Sequence, residues 1–192
     1  MKKMMLFMFL LLTGLVQASD KAGLKDIDEL TFFGVDYSMV KVYGADESAE
    51  QFKTAFTGIN NLFLSEPKKY DTAKAFKTKV ITNITTSVEL IRKIESSSLF
   101  AESDNYSLSE DAIAGHIKWF DTGDAKGYGA LLIAEFLNKG KHEGTYQVVI
   151  FDIETKKILE SKQFTGDAKG FGLRNYWAGS VYKVLGQIKK NM

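Results

Sequence analysis

The nine residues from Gly129 to Leu137 are all apolar except Glu135. An apolar stretch without alternation is typical of a strand that is covered on both faces. Two further strands are predicted after it, from Thr145 to Asp152 and from Ile158 to Phe164, with a tight turn between them. A final helix then carries apolar residues at helical spacing: Tyr176, Trp177, Val181, Val184, Leu185 and Ile188. The C-terminal half therefore predicts a β-meander with a helix packed against it.

The preceding residues alternate between strand and helix patterns. Strands are predicted from Leu30 to Val42 and from Val80 to Thr85, and helices from Ala45 to Leu64, Thr86 to Glu95 and Ser107 to Phe120. Capping-box patterns that begin at Thr86 and Ser107 predict where the last two helices start. Together the elements predict an α/β (α+β) fold, a mixed sheet of about five strands with a C-terminal β-meander and packed helices. We expect a single domain over residues 30–192.

The N-terminus has the parts of a secretory signal peptide. Met1-Lys2-Lys3 is basic, Met4 to Leu12 is an unbroken apolar stretch, and Val16-Gln17-Ala18 offers a cleavage site. An apolar stretch of this length spans about 14 Å of helix, less than the membrane core of about 30 Å. Residues 1–18 are therefore predicted to be a signal peptide and residues 19–29 a flexible lead-in. We expect a bacterial protein that is exported, periplasmic or secreted, without a transmembrane segment in the mature chain.

The composition excludes several kinds of chemistry. The chain contains no Cys, which excludes a disulfide framework, a thiolate metal site and a cysteine nucleophile, and a lipid anchor is not expected. Lys and Arg number 25 against 24 Asp and Glu, which predicts no net attraction to nucleic acid or anionic lipid. The histidines, His116 and His142, have no partner at metal-ligand spacing. We therefore expect no metal, no cofactor and no recognisable catalytic residue.

One octapeptide occurs twice, as Thr-Gly-Asp-Ala-Lys-Gly-Tyr-Gly at residues 122–129 and with Phe in place of Tyr at residues 165–172. The flanking residues do not match, so the chain repeats a loop and not a domain. Three hypotheses stay open: plain turn chemistry, an anion site at the start of the last helix, and a contact surface with aromatic anchors. The candidate binding residues are Lys126, Tyr128, Lys169, Phe171 and Arg174.

The meander predicts where the two copies lie. The first copy precedes the first of the three strands and the second copy follows the third. In an up-down-up arrangement they lie at opposite ends of the sheet, about 25–30 Å apart. One small ligand could not touch both copies in one molecule. Matching loops at opposite ends would suit head-to-tail self-association, or the reuse of a favourable turn.

Three segments carry a resemblance to a known family: Gly34-Val-Asp-Tyr-Ser38, the stretch from Asn60 to Asp71, and Gly170-Phe-Gly-Leu-Arg-Asn-Tyr-Trp-Ala178. With them the chain resembles an uncharacterised family of exported bacterial proteins, which implies no particular activity. In the order of its strands and helices it is also similar to the α/β domain of envelope assembly proteins of the curli-secretion and penicillin-binding-protein-activator type. That likeness implies a scaffold or a partner-binding role.

These observations favour a non-catalytic binding or assembly module of the bacterial envelope. Its Gly-rich loops would contact an envelope protein or a second copy of the chain. Two alternatives remain: a protein that binds a small anion or a sugar phosphate, and a hydrolase that uses an unrecognised pair of carboxylates. A deep cleft with two convergent carboxylates would favour the hydrolase, and exposed aromatic residues on the loops would favour partner binding.

Overall fold

The computed structural model describes residues 27–192, and its sheet is built around the strand that the apolar stretch predicts. The strands are β1 (Glu29–Asp36), β2 (Lys41–Tyr43), β3 (Lys79–Thr82), β4 (Tyr128–Asn138), β5 (Glu143–Asp152) and β6 (Ile158–Asp167). The helices are α1 (Ala49–Ser65), α2 (Thr72–Phe76), α3 (Thr85–Arg92), α4 (Glu110–Trp119) and α5 (Leu173–Asn191). The predicted signal peptide lies outside the described residues, as does the lead-in up to residue 26. Ile27, at the end of the lead-in, is already buried.

Strand β4 lies in the middle of a sheet whose order is β3-β1-β4-β5-β6. β1 runs parallel to both β3 and β4, whereas β5 and β6 are antiparallel and complete the meander. The short strand β2 pairs with the end of β4, beyond the point where β1 stops. The predicted α/β class, the mixed sheet and the single domain are thus confirmed for residues 27–192, with β2 as an additional short strand.

Each face of β4 contributes to a separate hydrophobic core. On one face Ala130, Leu132 and Ala134 pack with residues of α1 and α5, among them the buried Trp177. On the other face Leu131 and Ile133 pack with Ile113 and Ile117 of α4. Residues that alternate along one strand therefore belong to two layers, because successive side chains point to opposite faces of a sheet. This explains why the stretch is apolar at nearly every position.

Several predicted boundaries are wrong. The single strand expected from Leu30 to Val42 is interrupted by a turn in which the Val40 amide donates to the Tyr37 carbonyl at 3.2 Å. Helix α3 begins at Thr85 without a side-chain cap, so the capping box at Thr86 does not form. Helix α4 is capped by Ser109, whose hydroxyl accepts from the Ala112 amide at 3.1 Å, and not by Ser107.

A glycine and a buried asparagine join β1 to α1. Gly34 has φ of +85°, and a Cβ there would collide with the Asn60 side chain. The Asn60 amide accepts from the Val35 N–H at 2.8 Å and donates to the Val35 carbonyl at 2.9 Å. The pairing of β1 with β4 shifts register at this point, between Phe32 and Val35. Gly34 and Asn60 each belong to a segment that carries the family resemblance, and the fold brings them into contact.

We predict that Gly34→Ala lowers the free energy of unfolding by about 2 kcal/mol or more, because alanine is strained at positive φ and its Cβ displaces a buried hydrogen-bonding side chain. Gly115→Ala is the matched control, since Gly115 is helical and a Cβ there meets nothing within 4 Å. The control should gain about 0.5–1 kcal/mol from helix propensity. Urea unfolding measures both, and equal stability of the two variants would contradict this account of the joint.

Candidate functional site

The two copies of the octapeptide lie at opposite ends of the sheet, as the meander predicts. Tyr128, in the first copy, pairs with Asp152 at one end of β5. Asp167, in the second copy, pairs with Glu143 at the other end of β5. The length of β5 therefore separates them by about 30 Å. One small ligand cannot contact both copies of the same molecule.

The same octapeptide adopts two different structures. In the first copy residues 122–127 form a loop, in which the Gly127 amide donates to the Glu154 carboxylate at 3.1 Å. In the second copy Thr165–Asp167 are the last residues of β6, so the prediction that the strand ends at Phe164 is wrong. The Ala168 amide then donates to the His142 carbonyl at 2.7 Å, and the Lys169 amide to the Tyr176 carbonyl at 3.1 Å. The second copy is thus part of the sheet and of the start of α5.

The aromatic residues of the two copies differ in exposure. Tyr128 is half-buried and packs against the larger core. Phe171 is 96% exposed. Of the two predicted aromatic anchors, only Phe171 presents a nearly fully exposed ring to solvent.

The backbone around Phe171 is held by close contacts. Gly170 has φ of +151°, and a Cβ there would lie 2.6 Å from the Asn175 carbonyl oxygen. The Asn175 side chain donates to the Phe171 carbonyl at 3.2 Å. Gly172, with φ of +78°, is the residue that precedes α5. These contacts fix the loop on the first turn of α5, so the exposed ring stands on an ordered base.

A shallow groove with a volume of about 590 Å³ lies between α1 and the start of α5. Leu173 and Arg174 line one side, and α1 supplies the other with residues that include Thr54 and Gly58. Gly58 leaves room for Arg174, because a Cβ there would lie 2.7 Å from Cδ of the arginine. The Arg174 guanidinium donates to the Asn175 side-chain oxygen at 3.1 and 3.0 Å.

Three of the five candidate residues therefore lie together. Lys169, Phe171 and Arg174 are all exposed around the start of α5, and we call them the Phe171 corner. Lys126 and Tyr128 lie at the opposite end of the sheet. This placement agrees with the separation of the two copies that the meander predicts.

The first copy borders a different groove, with a volume of about 760 Å³. Its lining includes four carboxylates and one ammonium group: Glu29, Glu89, Asp121, Asp124 and Lys126. This excess of negative charge disfavours an anion. Among the residues that the structure describes, no group of three or more His, Asp or Glu side chains is placed to hold a metal ion.

A chain of polar contacts next to the Phe171 corner was not predicted. Lys139 Nζ lies 2.9 Å from a Glu47 carboxylate oxygen and 5.4 Å from the centre of the Tyr176 ring. The Tyr176 hydroxyl lies 2.6 Å from Nδ1 of His142. The hydrogen bond from Lys139 lowers the pKa of Glu47, and burial raises the pKa of Tyr176. The four residues come from three separate parts of the sequence, near residues 47, 140 and 176, so no local pattern could have indicated this cluster, which joins the β4–β5 turn to α5.

The two buried carboxylates of the described residues are both fully engaged. Asp36 Oδ2 lies 2.5 Å from Nε2 of His116, and Oδ1 accepts from the Ser38 amide at 2.7 Å. Glu135 accepts from the side-chain amides of Gln147 and Gln163 at 2.7 and 2.8 Å. The Asp36 contact connects α4 to the end of β1, and the Glu135 contacts connect β4 to β5 and β6. Neither lines the groove beside either copy of the octapeptide.

No family model, no curated protein and no solved structure matches this chain. The resemblance to exported bacterial proteins therefore stays a prediction. Within residues 27–192 there is no helix with the length and apolar character that crossing a membrane requires.

We predict that His116→Ala lowers the free energy of unfolding by about 2–3 kcal/mol, because it leaves the buried Asp36 carboxylate without its side-chain partner. His142→Ala is the control. It removes one hydrogen bond of an exposed side chain and should cost less than about 1 kcal/mol. Chemical denaturation of both variants tests the difference, and a loss no greater for His116→Ala than for the control would show that the pair does not anchor α4.

Proposed function

We propose that the protein is a non-catalytic binding module of the bacterial envelope that contacts a partner protein through the Phe171 corner. The observation that carries this proposal is the nearly complete exposure of Phe171 on a backbone fixed by Gly170 and Asn175. An aromatic ring that is already held in place loses little conformational freedom on binding. Aromatic residues and arginine are also the residues that most often dominate the energy of protein interfaces.

The surroundings of Phe171 support a protein partner. The groove between α1 and α5 begins two residues further on, at Leu173, and it is open and shallow. A small ligand would be expected to use a deeper, mostly apolar cavity. A protruding ring beside a shallow groove fits the surface of another protein, with Lys169 and Arg174 placed to meet carboxylates at the edge of the contact.

The unequal exposure of the two aromatic residues argues against self-association through matched loops. Head-to-tail contact would require the first copy to offer a surface complementary to the second. Tyr128 instead packs against the core, so the first copy has no exposed aromatic ring to match Phe171. A different protein is therefore the better candidate for the partner. The envelope location follows from the signal peptide predicted at residues 1–18.

We predict that Phe171→Ala abolishes capture of the partner from an envelope extract, with no change in thermal unfolding, because the ring makes little contact within its own chain. Trp119→Ala is the matched control, since Trp119 is the other strongly exposed aromatic residue among residues 27–192, 83% exposed at the end of α4. Affinity capture with purified wild type and both variants, followed by mass spectrometry, gives the readout. The control should retain the captured protein.

Two outcomes would contradict the proposal. Equal capture by the wild type and Phe171→Ala would remove the corner from the interface. Equal loss in both variants would indicate that any exposed aromatic residue supports capture, which is the behaviour of nonspecific adsorption and not of a defined binding surface.

A further inference from the structure

Six lysines surround one groove between α2 and the C-terminal half of α5. The groove has a volume of about 480 Å³, and its lysines are Lys68, Lys69, Lys74, Lys183, Lys189 and Lys190. Asp71 is the one carboxylate in its lining. The net charge of the whole chain is nearly balanced, but positive charge is concentrated at this groove. We call this surface the lysine groove.

Little within the chain neutralises the lysine groove. The Asp71 side chain caps α2, where it accepts a hydrogen bond from the Lys74 backbone amide at 2.8 Å. Lys69 pairs with Glu66 at 3.5 Å, but both side chains are about half exposed, and such a surface pair contributes little. The remaining ammonium groups raise the local potential together, because they line one groove that holds a single carboxylate.

The floor of the lysine groove is apolar and its edge carries a tyrosine. Ala75 and Leu185 are buried beneath it, and Gly186 adds no side chain of its own. Tyr182 is 48% exposed and meets the ring of Tyr70 edge-on, with the centroids 6.2 Å apart. Tyrosine combines an apolar ring with a polar hydroxyl and prefers the boundary between water and lipid.

We propose that the lysine groove docks the protein on a membrane surface rich in anionic phospholipids. A membrane presents many phosphates at once, which matches six separate ammonium groups on flexible side chains. A single bound phosphate would instead be expected to use an arginine fork or a set of converging backbone amides. Neither lines this groove, whose only charged donors are lysines.

The position of the lysine groove is compatible with the proposed function but independent of it. Helix α5 carries the Phe171 corner at its start and the groove lysines between Lys183 and Lys190. About ten to fifteen helical residues separate the two, or about 20 Å along the axis. Docking through the lysine groove would leave the Phe171 corner away from the lipid and free to meet a protein.

Co-sedimentation with vesicles tests the proposal. The wild type should bind mixed vesicles of phosphatidylglycerol and phosphatidylcholine at low salt and dissociate from them at high salt. It should not bind vesicles of pure phosphatidylcholine. Each lysine near such a surface contributes about fivefold in binding, so the triple variant Lys68→Gln, Lys74→Gln, Lys189→Gln should lose about hundredfold. The control triple variant Lys79→Gln, Lys93→Gln, Lys118→Gln removes the same charge from exposed positions outside the groove and should bind as the wild type does. Thermal unfolding of both triple variants verifies that they are folded.

Three results would overturn the proposal. Absence of binding to phosphatidylglycerol vesicles at low salt would show that the groove does not dock on lipid. An equal loss in the control variant would indicate a response to net charge alone. Binding of the wild type to soluble polyphosphate but not to vesicles would assign the groove to a dissolved polyanion. The Phe171→Ala variant should bind vesicles as the wild type does. A failure of the membrane proposal can therefore be distinguished from a failure of the proposed protein partner.

Discussion

Burial of β4 on both faces is the constraint on which the rest of the structure depends. A strand with apolar side chains on each face is stable only if both faces are covered, which places α1 and α5 on one side and α4 on the other. Its two edges are occupied by β1 and β2 on one side and by β5 on the other. The ends of the strands are left for exposed loops, and both copies of the octapeptide lie there.

The repeated octapeptide shows that local sequence does not decide local structure when the partners differ. In the second copy, the Ala168 amide donates to the His142 carbonyl in the β4–β5 turn, and the Lys169 amide donates to the Tyr176 carbonyl in the first turn of α5. In the first copy, a side chain from the β5–β6 turn accepts the amide of Gly127 instead. The second copy forms an ordered backbone that exposes Phe171, and the first copy remains a turn that leads into β4. This difference is the reason for assigning recognition to one copy alone.

The sequence predicts those parts of the fold that a single periodicity specifies. The apolar stretch from Gly129 to Leu137 predicted β4, and the helical spacing of Trp177, Val181 and Val184 predicted α5. Features that depend on distant residues could not be predicted. Asn60 bonds to the backbone of Val35, next to the register shift in β1, and His116 contacts Asp36 across 80 positions. The lysines of the groove come from two parts of the chain, near residue 70 and near residue 185. The net charge of the whole chain does not show that the fold brings them together, and the sequence therefore predicted no attraction to anionic lipid. The predicted meander already placed the two copies of the octapeptide at opposite ends of the sheet. The difference in exposure between Tyr128 and Phe171 could not be predicted, because it depends on packing against distant residues.

Amide hydrogen exchange of the free protein tests most directly the claim that one octapeptide holds two structures. The neighbours of Ala125 and Lys126 are identical to those of Ala168 and Lys169, so their intrinsic exchange rates are nearly equal and any difference reports protection. We expect Ala168 and Lys169 to exchange at least about tenfold more slowly than Ala125 and Lys126. Their amides bond to the β4–β5 turn and to α5, whereas the Ala125 amide bonds within its own loop, to the Thr122 carbonyl at 3.3 Å. Equal rates at the paired positions would mean that the second copy is as loose as the first, and that Phe171 has no ordered base.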